Sequence, residues 1–324
     1  MALPVNVRDL MRAGAKLTEE REKSVRLVVA VELDAPDALL AALEDVLLPR
    51  NARTSFEVGV VGEGAPRVTA STDAVVGVLG GGGSAMADYL AQARAGDAHV
   101  VTLKLAGAGS AAPATVGQPL DDFLEGEDAE RLVRHDLGRW LAERMHEKRL
   151  ALAAGLGFTR PAVAGEYVKA TAWQNALIGG VTIIPGADMP LMTGNQAKMV
   201  LQIAAAYGEK LDMERAKELL AVVGGGFAFR SIARQLLDFV PGFGWALKAG
   251  VAYAGTTAMG KAAIAYFEEG ADIGRVVRDL EAGTLAAVER ARALRSGGRD
   301  PSPEPDDEGL APYKLEAPRG DAGS

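Results

Sequence analysis

The chain has 324 residues, of which 48% are hydrophobic and 24% charged, a balance that is typical of folded globular proteins and excludes a largely disordered chain. Its formal net charge of −8 argues against a non-specific nucleic-acid binder, because neutralising phosphates requires a cationic surface. The absence of cysteine excludes disulfides and thiolate metal sites, and it is consistent with a reducing cytoplasm.

The first segment, residues 1–24, predicts a short amphipathic helix followed by a charged linker. Val7, Leu10 and Met11 share one helical face, and charged residues follow from Glu19 to Lys23. No apolar stretch here is long enough for a signal peptide. We therefore expect a cytoplasmic protein.

Strands that alternate with helices over residues 25–126 predict an α/β domain with a mostly parallel sheet. The β-branched run from Val25 to Leu33 is typical of a strand that is buried on both faces. Short buried strands are also predicted at 56–61 and 74–79, a fourth strand at 98–105, helices at 37–48 and 84–94, and a loop at 106–119.

A long connecting helix is predicted within residues 127–160. Between about Asp128 and Ala154, apolar residues recur at spacings of three and four, as in an amphipathic helix. Such a helix would span about 40 Å, enough to bridge two domains.

The remaining ordered chain, residues 161–295, predicts an all-α hydrophobic domain. Its apolar runs are separated by Pro185-Gly186 and Pro241-Gly242, which are typical of turns. Glycines thread through these runs, and their helix-weakening effect favours close helix packing. Helices are predicted near 163–179, 191–207, 212–223, 229–239, 243–267 and 273–294, and residues 296–324 form a disordered acidic tail.

One glycine-rich loop, Gly80–Ser84, lies where a phosphate-binding loop would lie, between a strand and a helix. It lacks the phosphate-loop pattern and its lysine. The acidic turn after the first strand, from Glu32 to Asp34, would also repel phosphate. The spacing favours a plain strand–helix turn and leaves a phosphate site as the alternative.

No other pattern predicts a catalytic, metal or cofactor site. The three histidines, His99, His135 and His146, do not have the spacing of metal ligands, and Ser84 and Ser231 lie outside any nucleophile motif. The basic cluster Arg144–Arg149 is interpreted as a helix surface, with anionic lipid as the alternative contact. We therefore expect a protein that is not an enzyme and needs no cofactor.

Several ordered motifs between about 163 and 270 resemble the YcjF-like DUF697 family of bacterial helical domains. The matching segments are Ile184–Pro190, the spaced residues from Gln196 to Gly208, Val240–Gly244, and Thr257–Gly260 with Ala265–Phe267. That family often follows a GTPase domain of the Era or dynamin-like kind. The resemblance implies that residues 25–150 stand in the place of the GTPase domain, as either a degenerate GTPase-like fold or an unrelated α/β domain.

These observations favour a membrane-associated scaffold or adaptor at the cytoplasmic face of the cell membrane. Its expected partners are the membrane surface, a GTPase, or a second copy bound through the helical domain, and nucleic acid is not among them. The alternatives are a nucleotide-binding switch that uses the Gly80–Ser84 loop, and a soluble helical module that binds a protein partner.

The strongest membrane candidate is the segment Phe239–Phe267, in which Lys248 and Lys261 are the only charges. Small residues recur four apart at Ala246, Gly250 and Ala254, a pattern of close helix packing. Each lysine would cost about 2.5–3.5 kcal/mol at the centre of a bilayer. The sequence therefore favours shallow insertion or self-packing over multiple spans.

Truncation after Arg295 is expected to leave the thermal midpoint unchanged within a few degrees. The tail has too few large apolar side chains to offset an ordering cost of about 1–2 kcal/mol for each residue. Thermal unfolding of the truncated and full chains tests this. A loss of soluble expression on truncation would contradict it.

Overall fold

The computed structural model describes residues 7–81, 84–107, 123–181, 189–209 and 244–269, and the fold is given for these residues alone. The Pro-Gly turns, the helices predicted at 212–223, 229–239 and 273–294, and the tail lie outside them. In chain order the elements are α1 (Val7–Arg21), β1 (Val25–Val31), α2 (Asp37–Val46), β2 (Thr54–Val60), β3 (Ala74–Val78), α3 (Ser84–Ala95), β4 (His99–Leu105), β5 (Phe123–Gly126), α4 (Ala129–Arg131), a π-helix (Leu132–Leu137), α5 (Gly138–Arg144), a 3-10 turn (His146–Lys148), α6 (Arg149–Gly155), a 3-10 turn (Gly157–Thr159), α7 (Arg160–Val181), α8 (Met189–Tyr207) and α9 (Gly244–Glu269).

The five described strands form one parallel sheet in the order β2-β1-β3-β4-β5, which confirms the α/β prediction. Apart from Arg26, every residue of β1 is buried, as its β-branched run predicted. Val25, Leu27, Val29 and Val31 pack on one side of the sheet. Val28 and Ala30 pack on the other side, beneath α3. The sheet is therefore covered by helices on both faces.

Two strands differ from the prediction. The strand β2 pairs only with β1 and forms an edge of the sheet, so it is not the buried strand that was expected, and Val58 is 58% exposed. The strand β5 was not predicted, because it has only four residues, of which three are partly buried and Glu125 is exposed. Across β4 and β5, Lys104 pairs with Glu125 at 3.3 Å, which fixes the register of this short strand.

The prediction of one continuous connecting helix within residues 127–160 is wrong. Residues 132–137 form a π-helix, and the helix ends at Met145, whose φ of −91° and ψ of 41° are not helical. Arg149 Nε donates to the carbonyl of Ala142 at 2.6 Å and so satisfies a group that the helix end leaves unpaired. The buried apolar positions still follow the predicted periodicity, because Leu132, Leu137 and Leu141 are all buried. The apolar spacing therefore predicted the buried face of this segment correctly, but it did not predict the interruption of the helix at Met145.

After the break, α6 lies between the sheet and the remaining helices. It contacts β1 and β2 on one side and α1, α7 and α8 on the other. Leu150, Ala151, Leu152 and Ala153 are each no more than 1% exposed. At its end, a Cβ on Gly155 would overlap Oγ1 of Thr54 and lie 2.7 Å from the Thr54 Cβ. Glycine is therefore required for α6 to reach the sheet.

The helices α7, α8 and α9 pack side by side. Contacts between Trp173 and Tyr253 and between Val168 and Gly260 run in opposite chain directions, so α7 and α9 are antiparallel. A Cβ on Gly260 would lie 2.9 Å from the Cβ of Val168, which supports the prediction of close packing at this glycine. At Gly250, by contrast, a Cβ would meet no atom of the described residues within 4 Å. The small-residue face that was predicted at Ala246, Gly250 and Ala254 therefore makes no close helix contact with the described residues at Gly250.

A buried polar network joins these three helices. Asn175 of α7 and Gln196 of α8 each donate a side-chain hydrogen bond of 3.0 Å to Oγ1 of Thr256 in α9. Asn195 in turn donates to the Asn175 carbonyl oxygen at 3.0 Å. Because a buried amide without a partner costs about 1–3 kcal/mol, this network fixes the register of the helices.

The buried apolar side chains on one face of the sheet and many of those of α5 to α9 form one continuous cluster, while the other face of the sheet belongs to a second cluster. Leu27 of β1, Leu141 of α5, Leu152 of α6, Met199 of α8 and Ala263 of α9 all belong to the first cluster. The predicted domain boundaries near residues 126 and 160 stay predictions. Apolar packing is continuous across both positions.

Gly155→Ala is expected to lower the free energy of unfolding by about 1–3 kcal/mol, because the added methyl group would force α6 away from Thr54. The matched control is Gly165→Ala in α7, where a Cβ meets nothing within 4 Å. That control should be neutral or stabilising by up to about 1 kcal/mol. Chemical denaturation of both variants tests the pair, and equal stabilities would contradict the packing.

Candidate functional site

The described half of the Gly80–Ser84 loop lies where the strand order reverses, at the carboxyl ends of β1 and β3. Ligands of open α/β sheets bind at such a point. Here, however, the Gly80 N–H donates to Oε2 of the buried Glu32 at 2.8 Å. The backbone donor that a phosphate would need is therefore already engaged by a carboxylate.

Asp34 lies against the same loop. A Cβ on Gly80 or on Gly81 would overlap the Asp34 carboxylate, so both glycines are explained by close packing against this side chain. Two carboxylates in the crevice oppose an anionic ligand. The arrangement matches the interpretation of a strand–helix turn.

The structure does not bring the three histidines together. His99 begins β4, His135 lies in the π-helix with its Nδ1 3.1 Å from Oδ1 of Asp136, and His146 lies in the turn before α6. Within the described ranges there is no group of three or more His, Cys, Asp or Glu residues that could hold a metal ion.

The basic cluster Arg144–Arg149 is largely engaged in bonds within the protein. Lys148 pairs with Asp73 at 2.6 Å, and Arg149 pairs with Glu166 at 3.0 Å, both largely shielded from solvent. These pairs connect the turn at Met145 to the sheet and to α7. Lys148 and Arg149 therefore do not form a cationic patch that faces a lipid surface.

A groove of about 1020 Å³ lies between α5, α7 and α9. Its walls include the aromatic and apolar side chains of Phe158, Val168, Tyr253, Ile264 and Phe267. The described residues that line it include six arginines or lysines and three glutamates: Arg50, Arg134, Arg139, Arg160, Lys169 and Lys261, with Glu143, Glu166 and Glu268. On a chain of net charge −8, this is a local excess of positive charge.

Some of these cations have carboxylate partners. Lys169 lies 3.3 Å from Glu166 and 3.9 Å from Glu143, Arg139 pairs with Asp136, and Arg134 pairs with Asp45. In the part of the chain that the structure describes, Arg50, Arg160 and Lys261 lie within ion-pair distance of no carboxylate. The groove therefore combines an apolar wall with cations that lack a partner charge.

Sequence reasoning missed this groove. Its lining residues are drawn from positions between Arg50 and Glu268, on several separate elements, and no two of the unpaired cations share a local motif. The one sequence signal for the groove was Lys261, a charged residue inside an apolar helix. In the structure this lysine is exposed and lines the groove.

A second feature is the end of α7 and α8 that lies away from the sheet. Trp173 is 54% exposed, Leu177 65% and Leu191 63%. Asn175 contacts Asn195, and Arg160 at the start of α7 lies beside Gly208 just after α8, so the two helices are antiparallel and Leu177 and Leu191 lie at the same end of the pair. Large apolar side chains are thus grouped on the surface there.

Comparison with known proteins gives no relative, because the chain significantly matches no protein-family model, no curated protein and no solved structure. The resemblance to the YcjF-like DUF697 family stays a prediction from the sequence motifs.

Arg50→Gln is expected to raise the thermal midpoint slightly, by about 1 °C at low ionic strength, because it removes repulsion between Arg50 and Arg160. The difference should vanish at about 1 M salt, where charges are screened within roughly 3 Å. The control is Arg53→Gln, whose arginine lies 3.7 Å from Glu22. Thermal unfolding at both salt concentrations tests this, and a drop of several degrees for Arg50→Gln would reveal a stabilising partner.

Proposed function

We propose that this chain is a non-enzymatic scaffold or adaptor that attaches to the cytoplasmic surface of the cell membrane through the far end of α7 and α8. The observation that carries the proposal is the exposure of Trp173, Leu177 and Leu191 at that end. Grouped apolar side chains on a surface mark a site of contact with a membrane or a protein.

Charge supports the choice of a membrane. Residues 170–181 of α7 and 189–197 of α8 contain no Asp, Glu, Lys or Arg, and Asp188 is the one such residue in the sequence between them. The opposite ends are more charged, since residues 160–169 carry three charged side chains and residues 198–207 carry Lys198. Desolvating an uncharged helix end in the headgroup region is inexpensive. A tryptophan beside the leucines suits the boundary between headgroups and acyl chains.

None of the helices among the described residues is both long and apolar enough to cross a bilayer. The proposal is shallow insertion of the helix end, in which two leucines enter the apolar layer. In its more specific form, the proposal is that residues 161–295 form an all-α hydrophobic domain like those of the YcjF-like DUF697 family. The sheet then forms a degenerate GTPase-like domain. A GTPase or a second copy is then the expected protein partner.

A nucleotide-binding switch is the second candidate, and the reversal of strand order between β1 and β3 favours it. Glu32 and Asp34 oppose it, since they occupy the position that phosphates would need. Titration with GTP, GDP and ATP distinguishes the two functions. Binding in the micromolar range that Gly82→Asp abolishes would favour the switch.

The third candidate is a soluble helical module that uses the same apolar end to bind a protein. This module would use the same surface as the membrane-bound scaffold, but it would bind a protein there and not a membrane. Vesicle binding by the purified chain, with no other protein present, separates the two.

The double variant Leu177→Glu/Leu191→Glu is expected to bind vesicles at least tenfold more weakly than the unmodified chain. Burying each leucine contributes about 1.5–3 kcal/mol, and each 1.4 kcal/mol corresponds to a factor of ten. Both side chains are more than 60% exposed, so the substitutions should leave folding intact. The measurement is co-sedimentation of the full chain with vesicles of phosphatidylcholine and phosphatidylglycerol.

The matched control is Leu48→Glu, which changes a leucine that is 64% exposed but follows α2, near the sheet. It should bind vesicles as the unmodified chain does. If the unmodified chain does not sediment with vesicles, or if the control loses binding equally, the membrane proposal is wrong.

A further inference from the structure

Three arginines from separate parts of the chain converge at the groove, where Arg50 and Arg160 line it and Arg21 lies beside Arg160. Arg21 ends α1, Arg50 follows α2, and Arg160 begins α7. The Nη2 atoms of Arg160 and Arg21 lie 3.7 and 3.8 Å from the position that a Cβ on Gly208 would occupy. Arg50 and Arg21 are both near enough to Arg160 to act on its charge.

Backbone groups hold these guanidiniums in place. Arg160 Nε donates to the Ala153 carbonyl at 3.2 Å, and Arg21 Nη1 donates to the Glu209 carbonyl at 3.5 Å. The Arg50 guanidinium lies against Gly157, where a Cβ would come 2.8 Å from its Cζ. Carbonyl acceptors orient a guanidinium but do not neutralise its charge.

No carboxylate of the described residues lies within ion-pair distance of any of the three. Burial and the nearby guanidiniums of Arg50 and Arg21 lower the pKa of Arg160, while Tyr207 acts in the opposite direction. An arginine nevertheless stays protonated in a protein. Within the described ranges, three like charges thus lie near one another with no carboxylate at ion-pair distance, an arrangement that costs stability.

A buried hydroxyl belongs to the same part of the groove. Tyr207 Oη is inaccessible to solvent and meets no described residue at full hydrogen-bond geometry, and the Glu268 carboxylate is the acceptor that lies near it. Burial and the nearby Glu268 carboxylate raise the pKa of Tyr207, so its hydroxyl stays protonated and can donate. Because no described residue bonds this hydroxyl at full hydrogen-bond geometry, it is free to turn its proton to a ligand in the groove instead of to Glu268.

We propose that Arg21, Arg50 and Arg160 bind a phosphate group, with the Tyr207 hydroxyl as a further donor. Guanidinium forks match the tetrahedral oxygens of phosphate and bind them in pairs. A dianionic phosphate balances three cations better than a single carboxylate does. The groove beside the arginines holds the rest of the ligand.

The shape of the groove indicates an organic phosphate. A volume of about 1020 Å³ exceeds what a lone phosphate fills, and Phe158, Ile264 and Phe267 offer apolar contacts beside the arginines. Glu143 and Glu166 along the same groove oppose a polyanion such as nucleic acid. A phosphate monoester with an apolar or neutral body fits, either free in solution or as a lipid headgroup.

This site is independent of the membrane contact proposed above. The arginines lie at the start of α7 and the exposed Leu177 lies near its end. Loss of one function would leave the other measurable.

The first test uses the full chain with inorganic phosphate and pyrophosphate, in titration calorimetry and thermal unfolding. Both anions are expected to raise the thermal midpoint relative to chloride at equal ionic strength, because a ligand that binds only the folded state stabilises it. Arg50→Gln should weaken binding at least tenfold, and Arg50→Lys should give an intermediate affinity because it keeps the charge but loses the fork. Arg53→Gln is the matched control and should bind as the unmodified chain does.

The second test separates the two sources of phosphate. Vesicles of phosphatidylcholine with phosphatidic acid, which carries a monoester, are compared with vesicles with phosphatidylglycerol at equal surface charge. A preference for phosphatidic acid that Arg50→Gln removes would identify a lipid headgroup, and binding of free phosphate without that preference would identify a soluble ligand.

The proposal is overturned if neither free phosphate nor phosphatidic acid binds better than its control. It is also overturned if Arg50→Gln and Arg160→Gln both bind as the unmodified chain does. Arg50 is exposed and makes no side-chain hydrogen bond to a described residue, so its substitution should not impair folding. If Arg160→Gln fails to fold, the Arg50 series alone decides the question.

Discussion

Close packing of α6 between the sheet and the helices is the constraint on which the rest of the structure depends. Six of its seven residues, all but Arg149, are small or aliphatic, and Gly155 lets the helix end touch the first residue of β2. The same short helix also supplies backbone acceptors to its neighbours. Its Gly155 carbonyl accepts from the Arg50 N–H, and its Ala153 carbonyl accepts from Arg160 Nε. The positions of two groove arginines are therefore set by α6, and the core and the groove share one support.

The charges of the chain are divided between two roles. Lys148 at the end of the turn before α6 and Arg149 at the start of α6 each have a carboxylate partner, and these pairs connect this part of the chain to the sheet and to α7. At the groove, no carboxylate of the described residues lies within ion-pair distance of Arg50 or Arg160, although the chain as a whole is acidic. The described part of the groove thus keeps two arginines near each other without a neutralising carboxylate between them. Retained repulsion of this kind is typical of sites that are built for a ligand and not for stability.

The sequence predicted the α/β class, four of the strands and the buried apolar positions between Leu132 and Met145, because periodicity reports burial directly. It did not predict β5 or the edge position of β2, since both depend on which strands become neighbours. The break at Met145 has no proline or glycine to announce it, and it depends on the Arg149 contact with Ala142. The groove could not be predicted for the same reason. Arg21, Arg50 and Arg160 are adjacent only after α1, α2 and α7 have packed.

The polar network around Thr256 has a consequence for the order of folding. Its bond to Asn175 closes a chain separation of 81 residues and its bond to Gln196 one of 60, whereas the Asn175–Asn195 contact closes only 20. Contacts of long separation carry a larger closure entropy and form late, so α7 and α8 should pair before α9 docks. Because α9 is one wall of the groove, undocking of that helix would open the groove while the sheet stays folded. Amide exchange along α9 would then report the groove's opening equilibrium, and any molecule held there would slow it.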